Sequence, residues 1–245
     1  MRILITSGGT KIPIDPVRSI TNHSTGKFGA DIARAALEAN MDVIYLTSFE
    51  GISPFTKCFN YQTLETISLE KNILALKNLY SFSKKFSKKY IEYRYNDYND
   101  YAYFLKKIIG SEKPDAVVLA AAVSDYIIEN YSQDKIRSNE NLSLTLKQAP
   151  KLIKTVREYL PDTILVGFKL LVNATDYELI TAASQSIKMN NANFIVANDL
   201  TSIKKGIHEI IIVNPNGTHE KITQDLAKKI IERILREQQI LRDNK

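Results

Sequence analysis

Residues 22–29 place amide, hydroxyl and small side chains directly before a predicted helix that begins at Lys27. The first N–H groups of a helix have no partner within it, and the helix dipole favours negative charge at that end. Ser24 and Thr25 add hydroxyl donors to these N–H groups. This pattern indicates a phosphate-binding site, although both hydroxyls fit simple helix N-caps equally well.

Two common phosphate-binding loops are excluded for this segment. A Walker A loop reads G-x-x-x-x-G-K-[ST], and Thr21 and Phe28 stand where it needs a glycine and a hydroxyl residue. The sequence also lacks the dinucleotide pattern G-x-G-x-x-G, a Cys/His metal cluster and a G-x-S-x-G nucleophile elbow. Spacing alone therefore indicates an α/β enzyme that binds a nucleotide or a phosphorylated molecule.

Four clusters of small and polar residues follow predicted strands, at residues 7–10, 120–125, 167–169 and 197–199. In open parallel sheets, ligands bind beyond the carboxyl ends of the strands, so we expect the clusters to meet at one edge. Glycine and alanine there let a ligand approach the backbone, while an aromatic ring, a lysine and aspartates supply stacking, charge and hydroxyl or metal contacts. A turn cap is an equal alternative for Asp125.

The elements that must position these clusters are short β-branched runs that alternate with segments of helical period. This alternation predicts a mainly parallel sheet with crossover helices. The predicted strands are residues 2–6, 42–47, 115–119, 163–166 and 193–196. Residues 7–25 are predicted to be a long polar loop, and the predicted helices include 27–40, one capped by Asp176 and a last one capped by Thr223. A hairpin of residues 208–213 and 219–222 is expected before the last helix.

Two stretches do not fit this alternation. Residues 134–146 alternate Leu142, Leu144 and Leu146 with polar residues, which predicts a hairpin arm with one apolar face. Residues 80–103 hold seven of the thirteen tyrosines among several lysines. Interleaved aromatic and basic residues can stack on single-stranded nucleic acid, but a solvated pair of helices or a long insertion on the flank of the sheet is the favoured interpretation.

Composition limits the function classes. The chain has 245 residues, of which 44% are hydrophobic and 24% charged, as expected for a globular protein with a single domain over 1–245. The lone Cys58 cannot form an internal disulfide, and no apolar run approaches the roughly 20 residues that span a membrane. We therefore expect a cytoplasmic protein. The net charge of +6 favours anionic partners.

Several of these motifs resemble the signatures of one enzyme family, the phosphopantothenate–cysteine ligases. The motifs at 5–10, 14–18 and 21–27 match the start of the family, and those at 120–126, 135–136, 167–170 and 197–200 follow in family order. The resemblance covers nearly the whole chain outside 80–103. The run 167–172, and the lack of room for the decarboxylase that many bacteria fuse to this ligase, resemble the stand-alone bacterial form.

The resemblance implies a ligase that joins 4'-phosphopantothenate and L-cysteine in coenzyme A biosynthesis through an acyl-nucleotide (acyl-CMP) intermediate. It implies an α/β, Rossmann-like three-layer fold with a mainly parallel sheet, plus a small β-hairpin arm around 134–147 for dimerisation. The cosubstrate would be CTP in preference to ATP. Mg²⁺ is expected without a protein ligand, as are a homodimer and the absence of nucleic-acid and membrane partners.

The same resemblance assigns roles to individual residues. Asn22 and Lys135 are the implied catalytic residues: Lys135 would contact the α-phosphate and the carboxylate from a mobile arm, and Asn22 would polarise the acyl carbonyl. Without the resemblance, Lys135 and Arg137 would be read as ordinary solvated charges. The implied nucleotide-binding residues are Gly8, Gly9, Ser24, Thr25, Ala121, Asp125, Lys135, Phe168 and Asn198.

Two other functions remain as alternatives. An NAD(P)-dependent short-chain-type reductase fits the βαβ start, although no Tyr-x-x-x-Lys lies at a suitable strand end. A nucleic-acid-binding module could use residues 80–103, and its affinity would then fall steeply with salt.

Overall fold

The computed structural model describes residues 1–55, 69–137 and 141–243. In chain order, strands β1 to β12 are Arg2–Ser7, Lys11–Pro13, Ser19–Thr21, Asp42–Ser48, Tyr90–Tyr95, Ala116–Leu119, Tyr126–Ile128, Leu146–Gln148, Ile164–Leu171, Phe194–Asp199, Ile210–Val213 and His219–Ile222. Helices α1 to α7 are Lys27–Glu38, Leu69–Phe86, Tyr98–Glu112, Leu152–Tyr159, Asp176–Asn190, Leu200–Lys204 and Leu226–Asp243.

Eight of these strands form one sheet in the order β12-β11-β10-β9-β6-β1-β4-β5. All neighbours from β10 to β5 pair in parallel, while β11 and β12 form the expected antiparallel hairpin at the edge. The predicted α/β fold with a mainly parallel sheet is confirmed. The five predicted parallel strands are all present.

Helices cover both faces of the sheet, which makes three layers. Along β1, Ile3 and Ile5 pack on one face with α1 and α7, while Leu4 packs on the other face with α3, α4 and α5. Successive side chains of a strand point to opposite faces, so a strand buried on both sides needs a continuous apolar run. Helix α1 buries one stripe against the sheet and ends before Asn40, whose left-handed φ of 64° stops the helix.

Strand β1 lies at the point where the direction of chain winding reverses. From β1 the chain crosses through α1 to β4 on one side, and later returns through α3 to β6 on the other side. In doubly wound sheets the crevice at this reversal is the usual ligand site. The carboxyl ends of β1 and β6 therefore mark where a site is expected.

Two of the predicted clusters lie inside strands rather than after them. Residues 167–169 belong to β9 and residues 197–199 to β10, because the parallel ladder continues through Gly167↔Ile195 to Leu171↔Asp199. Small and polar residues there were expected to end the strands, but pairing with a neighbour satisfies their backbone groups. Both strands therefore extend further toward the ligand edge than expected.

The tyrosine-rich stretch is part of the sheet. Residues 80–103 contain the end of α2, a short 3-10 turn, all of β5 and the start of α3. The expected pair of helices is thus interrupted by an edge strand that pairs with β4. Phe82 and Phe86 of α2 are buried against α1, so part of this stretch is core rather than a solvated face.

The connections differ from the sequence prediction in three places. The loop 7–25 contains a small antiparallel pair, β2 and β3. The strands of the arm, β7 and β8, flank the segment 134–145 instead of lying within it. Thr175, not Asp176, caps α5, since its hydroxyl accepts the N–H of Glu178 in a capping box. Within the described ranges no helix is long and apolar enough to cross a membrane.

Candidate functional site

The first part of the site, here called the floor, consists of residues 7–10 and 22–29. Gly8 adopts a left-handed φ of 80°, and a Cβ built on it would lie 2.1 Å from Oγ of Ser48. Gly9 lies against the next part of the floor, because its Cβ would lie 2.3 Å from the carbonyl oxygen of Asn22. Contacts below 3 Å exclude a side chain at either position. The glycine pair therefore lets the turn after β1 pack closely against the end of β4 at Gly8 and against the loop before α1 at Gly9.

Backbone hydrogen bonds join the ends of β1 and β6 through Ala122. Its N–H donates to the carbonyl of Gly8 at 2.8 Å, and its own carbonyl accepts from Thr10 N–H at 3.1 Å. The same carbonyl accepts Nδ2 of Asn22 at 3.2 Å. The amide of Asn22, half-buried, is thus held in one orientation at the edge of the site.

The start of α1 offers donors that side chains do not occupy. The N-cap is Gly26, in a left-handed conformation and without a side chain to cap the helix. Ser24 Oγ accepts Gly26 N–H and Thr25 Oγ1 accepts Lys27 N–H, both at 3.3 Å. The two hydroxyls therefore shape the turn before the helix, and an anion at this end would meet the helix N–H groups and dipole.

A cleft of about 1120 Å³ opens beside the second part of the floor, where residues 22–28 line it, whereas the predicted Gly8 and Gly9 do not. Four of the predicted nucleotide-binding or catalytic residues line it: Asn22, Ser24, Thr25 and Asn198. Phe168 lies next to it, since its ring meets that of the lining residue Phe28 edge to face with centroids 5.8 Å apart. The cleft is large enough for a nucleotide-sized ligand.

Charges of both signs line this cleft. The basic and acidic side chains are Lys11, Lys27, Arg34, Lys228, Asp31, Glu38, Glu50, Glu209 and Asp225, with His23 and His208 beside them. Lys11 bonds to Glu50 at the rim and holds the pKa of the Glu50 carboxyl below its ordinary value. With four lysine and arginine side chains against five acidic ones, the lining has no excess of positive charge, so phosphate binding there would depend on the helix N–H groups and on individual basic side chains.

The structure places Ala121 and Asp125 beside the floor rather than in the cleft wall. The N–H of Ala121 donates to Oγ1 of Thr6 at 3.2 Å. Asp125 is exposed and forms an ion pair with Lys151 at 2.5 Å. Both residues lie on the segment that follows β6, and neither lines the cleft.

Lys135 lies on an exposed stretch, here called the lysine loop (residues 129–137), and does not line the cleft. In the part of the chain that the structure describes, its ammonium has no hydrogen-bond or ion-pair partner. The peptide that follows it is held tightly instead. Ile136 donates its N–H to the Asp15 carboxylate at 3.1 Å, and its carbonyl accepts from Arg18 Nη2 at 2.6 Å.

The bonds from Asp15 and Arg18 to Ile136 are here called the clamp. Asp15, which takes part in most of its bonds, is 2% exposed. It also accepts the N–H groups of Val17 and Arg18 at 2.9 and 2.8 Å, and the Arg18 guanidinium at 2.6 Å. The Arg18 guanidinium, with these N–H groups, holds the pKa of the Asp15 carboxyl well below its usual range. Asp15 is therefore ionised at neutral pH, and it holds both its own turn and the lysine loop at Ile136.

The sequence-based reasoning gave no role to Asp15 or Arg18 beyond the motif they belong to. One signal was present, because aspartate before proline favours a turn in which the carboxylate binds the N–H two residues on. The long-range bond to Ile136 has no local signal. Within the described ranges no group of three or more His, Cys, Asp and Glu side chains could hold a metal ion.

Comparisons with known proteins give a consistent result. The family model described as the DNA/pantothenate metabolism flavoprotein C-terminal domain matches residues 1–72 and 105–239. The chain is 31% identical over 229 residues to the coenzyme A biosynthesis bifunctional protein CoaBC of Thermococcus kodakarensis, which covers 94% of the chain and 46% of that protein. It thus spans about half the length of the bifunctional relatives that it matches.

Two further relatives extend this result to single-function enzymes and to a solved structure. The chain is 27% identical over 258 residues to the human phosphopantothenate–cysteine ligase, covering 94% of the chain and 81% of that enzyme. A solved structure of a Cab2 mutant in complex with phosphopantothenate-cysteine superimposes with a TM-score of 0.85 at 25% identity, over 99% of this chain and 88% of that one. These matches support neither the reductase nor the nucleic-acid alternative.

Proposed function

Because the chain belongs to the DNA/pantothenate metabolism flavoprotein C-terminal domain family, we propose that it is a phosphopantothenate–cysteine ligase of coenzyme A biosynthesis. The observation that carries this proposal is the floor. The amide of Asn22 and the N-terminus of α1 line a nucleotide-sized cleft, and Gly9 packs against the backbone of Asn22. The fold shared with the Cab2 complex supports the same substrates.

The reaction must join a carboxylate to an amine, and a free carboxylate does not react with an amine. A carboxylate oxygen of 4'-phosphopantothenate therefore attacks the α-phosphorus of a nucleoside triphosphate, and pyrophosphate leaves. The amine of cysteine then attacks the acyl carbon of this acyl-nucleotide, the nucleoside monophosphate leaves with the bonding electrons, and the amine loses a proton. Negative charge builds up at phosphorus in the first step and at the acyl oxygen in the second.

Positive groups must face the first of these charges. The N–H groups at the start of α1, Ser24 and Thr25 lie where they can bind phosphate oxygens. Lys135 supplies a full charge, and it reaches the phosphates only when the lysine loop moves toward the cleft. The clamp at Ile136 supports such a movement, because the residue after Lys135 is anchored while the lysine itself is exposed.

Asn22 would stabilise the negative charge that develops on the acyl oxygen in the second step. Its amide is oriented by Ala122, and Nδ2 has a second N–H that can donate to the acyl oxygen. The nucleoside would bind near Phe168, Asn198, Ala121 and Asp125, and the glycine pair would let its phosphates approach the backbone of the floor. CTP is the expected cosubstrate in preference to ATP. Mg²⁺ would neutralise charge on the triphosphate.

The assembly proposed here is a homodimer formed through the arm. Leu142 and Leu146 are exposed, at 48% and 44%, and Tyr126 of β7 is 52% exposed. Exposed apolar side chains on a two-stranded arm, and on the segment just before its second strand, are typical of a surface that packs on a second copy. A sedimentation run that gives only monomer at micromolar concentration would contradict this arrangement. A cytoplasmic location is expected for a step of this pathway.

The test of the function is pyrophosphate release from 4'-phosphopantothenate with each of the four nucleoside triphosphates, with and without cysteine. We expect release with CTP above ATP in the absence of cysteine, limited to about one equivalent per site because the acyl-nucleotide remains bound. Cysteine should convert this burst into turnover. Absence of release with all four nucleotides would reject the ligase.

A further inference from the structure

Two buried tyrosines lie directly beneath the floor. Tyr95 is the last residue of β5 and Tyr101 lies in α3, and they are 0% and 1% exposed. Their rings pack edge to face with centroids 5.1 Å apart. Both come from the stretch 73–104, which lies between the two parts of the chain that the family model matches.

The hydroxyls of this pair bind the end of β1. Tyr95 donates to the carbonyl of Ser7 at 2.6 Å, and Tyr101 donates to Oγ1 of Thr6 at 3.4 Å. Burial raises the pKa of Tyr101 to about 12 and that of Tyr95 above its ordinary value, so both hydroxyls keep their protons at neutral pH. The two residues that they hold immediately precede Gly8.

Thr6 and Ser7 carry these contacts on to the rest of the site. Ser7 Oγ donates to the carbonyl of Gly26, the N-cap of α1, at 2.9 Å. Thr6 Oγ1 accepts the N–H of Ala121 at 3.2 Å. One buried network therefore joins the tyrosine-rich stretch to the end of β1, the start of α1 and the segment after β6. These are three of the places where nucleotide-binding residues are predicted.

We propose that Tyr95 is a positioning residue for the nucleotide, holding the Ser7 carbonyl so that the glycine pair and the start of α1 keep their relative placement. This inference rests on the ligase function proposed above. Tyr95 touches no substrate and acts through Ser7, while Tyr101 supports its ring and Thr6. Through these two tyrosines, the stretch 73–104 supports the floor of the site.

The geometry of Gly8 explains why the turn after β1 needs this support. Its left-handed φ and its contact with Ser48 leave one arrangement for the turn after β1. A glycine samples positive and negative φ about equally when nothing holds it. The bond from Tyr95 to the preceding carbonyl restricts this freedom at the one peptide that leads into Gly8.

The test compares Tyr95→Phe with Tyr90→Phe in the full chain. Each change removes one hydroxyl from β5, but Tyr90 bonds to the side chain of Glu92 and not to the floor. We expect Tyr95→Phe to raise the Kd of CTP about tenfold, the effect of one lost hydrogen bond, and to speed amide hydrogen exchange of residues 7–10 and 26–29. Tyr90→Phe should change both by less than about twofold.

Two outcomes would overturn the inference. Unchanged exchange in the floor of Tyr95→Phe would do so, as would faster exchange together with the CTP affinity and KM of the unmodified protein. The exchange measurement needs no ligand, so it tests whether Tyr95 holds the floor even if the unmodified protein releases no pyrophosphate. Absence of pyrophosphate release would reject the proposed ligase function and not the role of Tyr95 in the floor. If Tyr95→Phe does not fold, Tyr101→Phe should give the same pattern with a smaller rise in Kd.

Discussion

The floor and the lysine loop are held in different ways, and of the two the floor lines the cleft, through residues 22–28. The floor is fixed from several sides, by the glycine contacts, by Ala122 and by the tyrosine network below it. The lysine loop is exposed over most of its length and is held at a few main-chain points: Glu129 and Ser132 donate their N–H groups to the carbonyls of Thr145 and Ile14, and Ile136 is held by Asp15 and Arg18. Under the proposed mechanism, phosphate groups would meet a preorganised surface, whereas Lys135 would reach them by movement.

The largest expected effect tests the moving side. Lys135→Gln should lower pyrophosphate release about 10³-fold, because it removes the one full charge assigned to the α-phosphate, and should leave the thermal midpoint unchanged because the side chain is exposed. Arg137→Gln, two residues on and also exposed, is the matched control and should change release by less than about twofold. Normal release by Lys135→Gln would remove the lysine from the mechanism.

The next effect separates the two chemical steps on the fixed side. Asn22→Asp should release pyrophosphate once but slow amide formation about 10²-fold, since a carboxylate repels the charge that develops on the acyl oxygen. Quenched-flow analysis of the acyl-nucleotide would show it accumulating. Turnover at the level of the unmodified protein would exclude Asn22 from the second step.

Packing in the floor gives a stability test with a control elsewhere in the fold. Gly8→Ala should lower the free energy of unfolding by about 3 kcal/mol or more, because it adds a clash with Ser48 to the cost of a left-handed φ. Gly217→Ala has a φ of 83° with no atom within 4 Å of the added Cβ, so it should cost only about 1 kcal/mol. Equal costs in urea unfolding would show that the floor is not tightly packed.

The clamp can be loosened without touching the floor. Asp15→Asn should lower the rate of pyrophosphate release about tenfold while the Kd of CTP stays unchanged, because it weakens the bonds to Arg18 and Ile136 that orient the lysine loop. Equilibrium titration and single-turnover kinetics distinguish the two. A loss of CTP affinity equal to the loss of rate would place Asp15 with the floor instead.

The smallest effect is a pH dependence of stability. The pKa of Asp15 is lowered in the folded protein, so its stabilising contribution is complete above about pH 3.8 and is lost as the pH falls below that value. The thermal midpoint of the unmodified protein should therefore fall more steeply below about pH 3.8 than that of Asp15→Asn. Parallel curves for the two proteins would contradict the contribution of Asp15.

The sheet could be predicted because long apolar runs such as 2–6 and 115–119 have a clear pattern and a single plausible role. Strands β2 and β3 have three residues each, too few for any periodicity to show. Strand β5 was missed because its tyrosines and charges read as a solvated surface, whereas two of its neighbours in space are buried phenylalanines. Burial of this kind is decided by tertiary packing, which the local sequence does not record.

The residue types of the site could be predicted from the sequence, but the positions of these residues relative to the cleft could not. The stretch before α1 already contained Asn22, Ser24 and Thr25, and all three line the cleft. Lys135 was identified by resemblance, and no sequence pattern could give its position outside the cleft. The same holds for Asp15 and Ile136, whose bond joins residues 121 positions apart.

Asp15 and Arg18 bind main-chain atoms of Ile136, and this has a consequence for how the sequence of the lysine loop can vary. Nearly every residue type has the same backbone N–H and carbonyl, so substitutions at position 136 should leave the bonds to Asp15 and Arg18 intact. Proline is the exception, because it has no N–H to offer the carboxylate. Chimeras that exchange the lysine loop between relatives should therefore keep these bonds wherever the receiving chain retains the aspartate and the arginine.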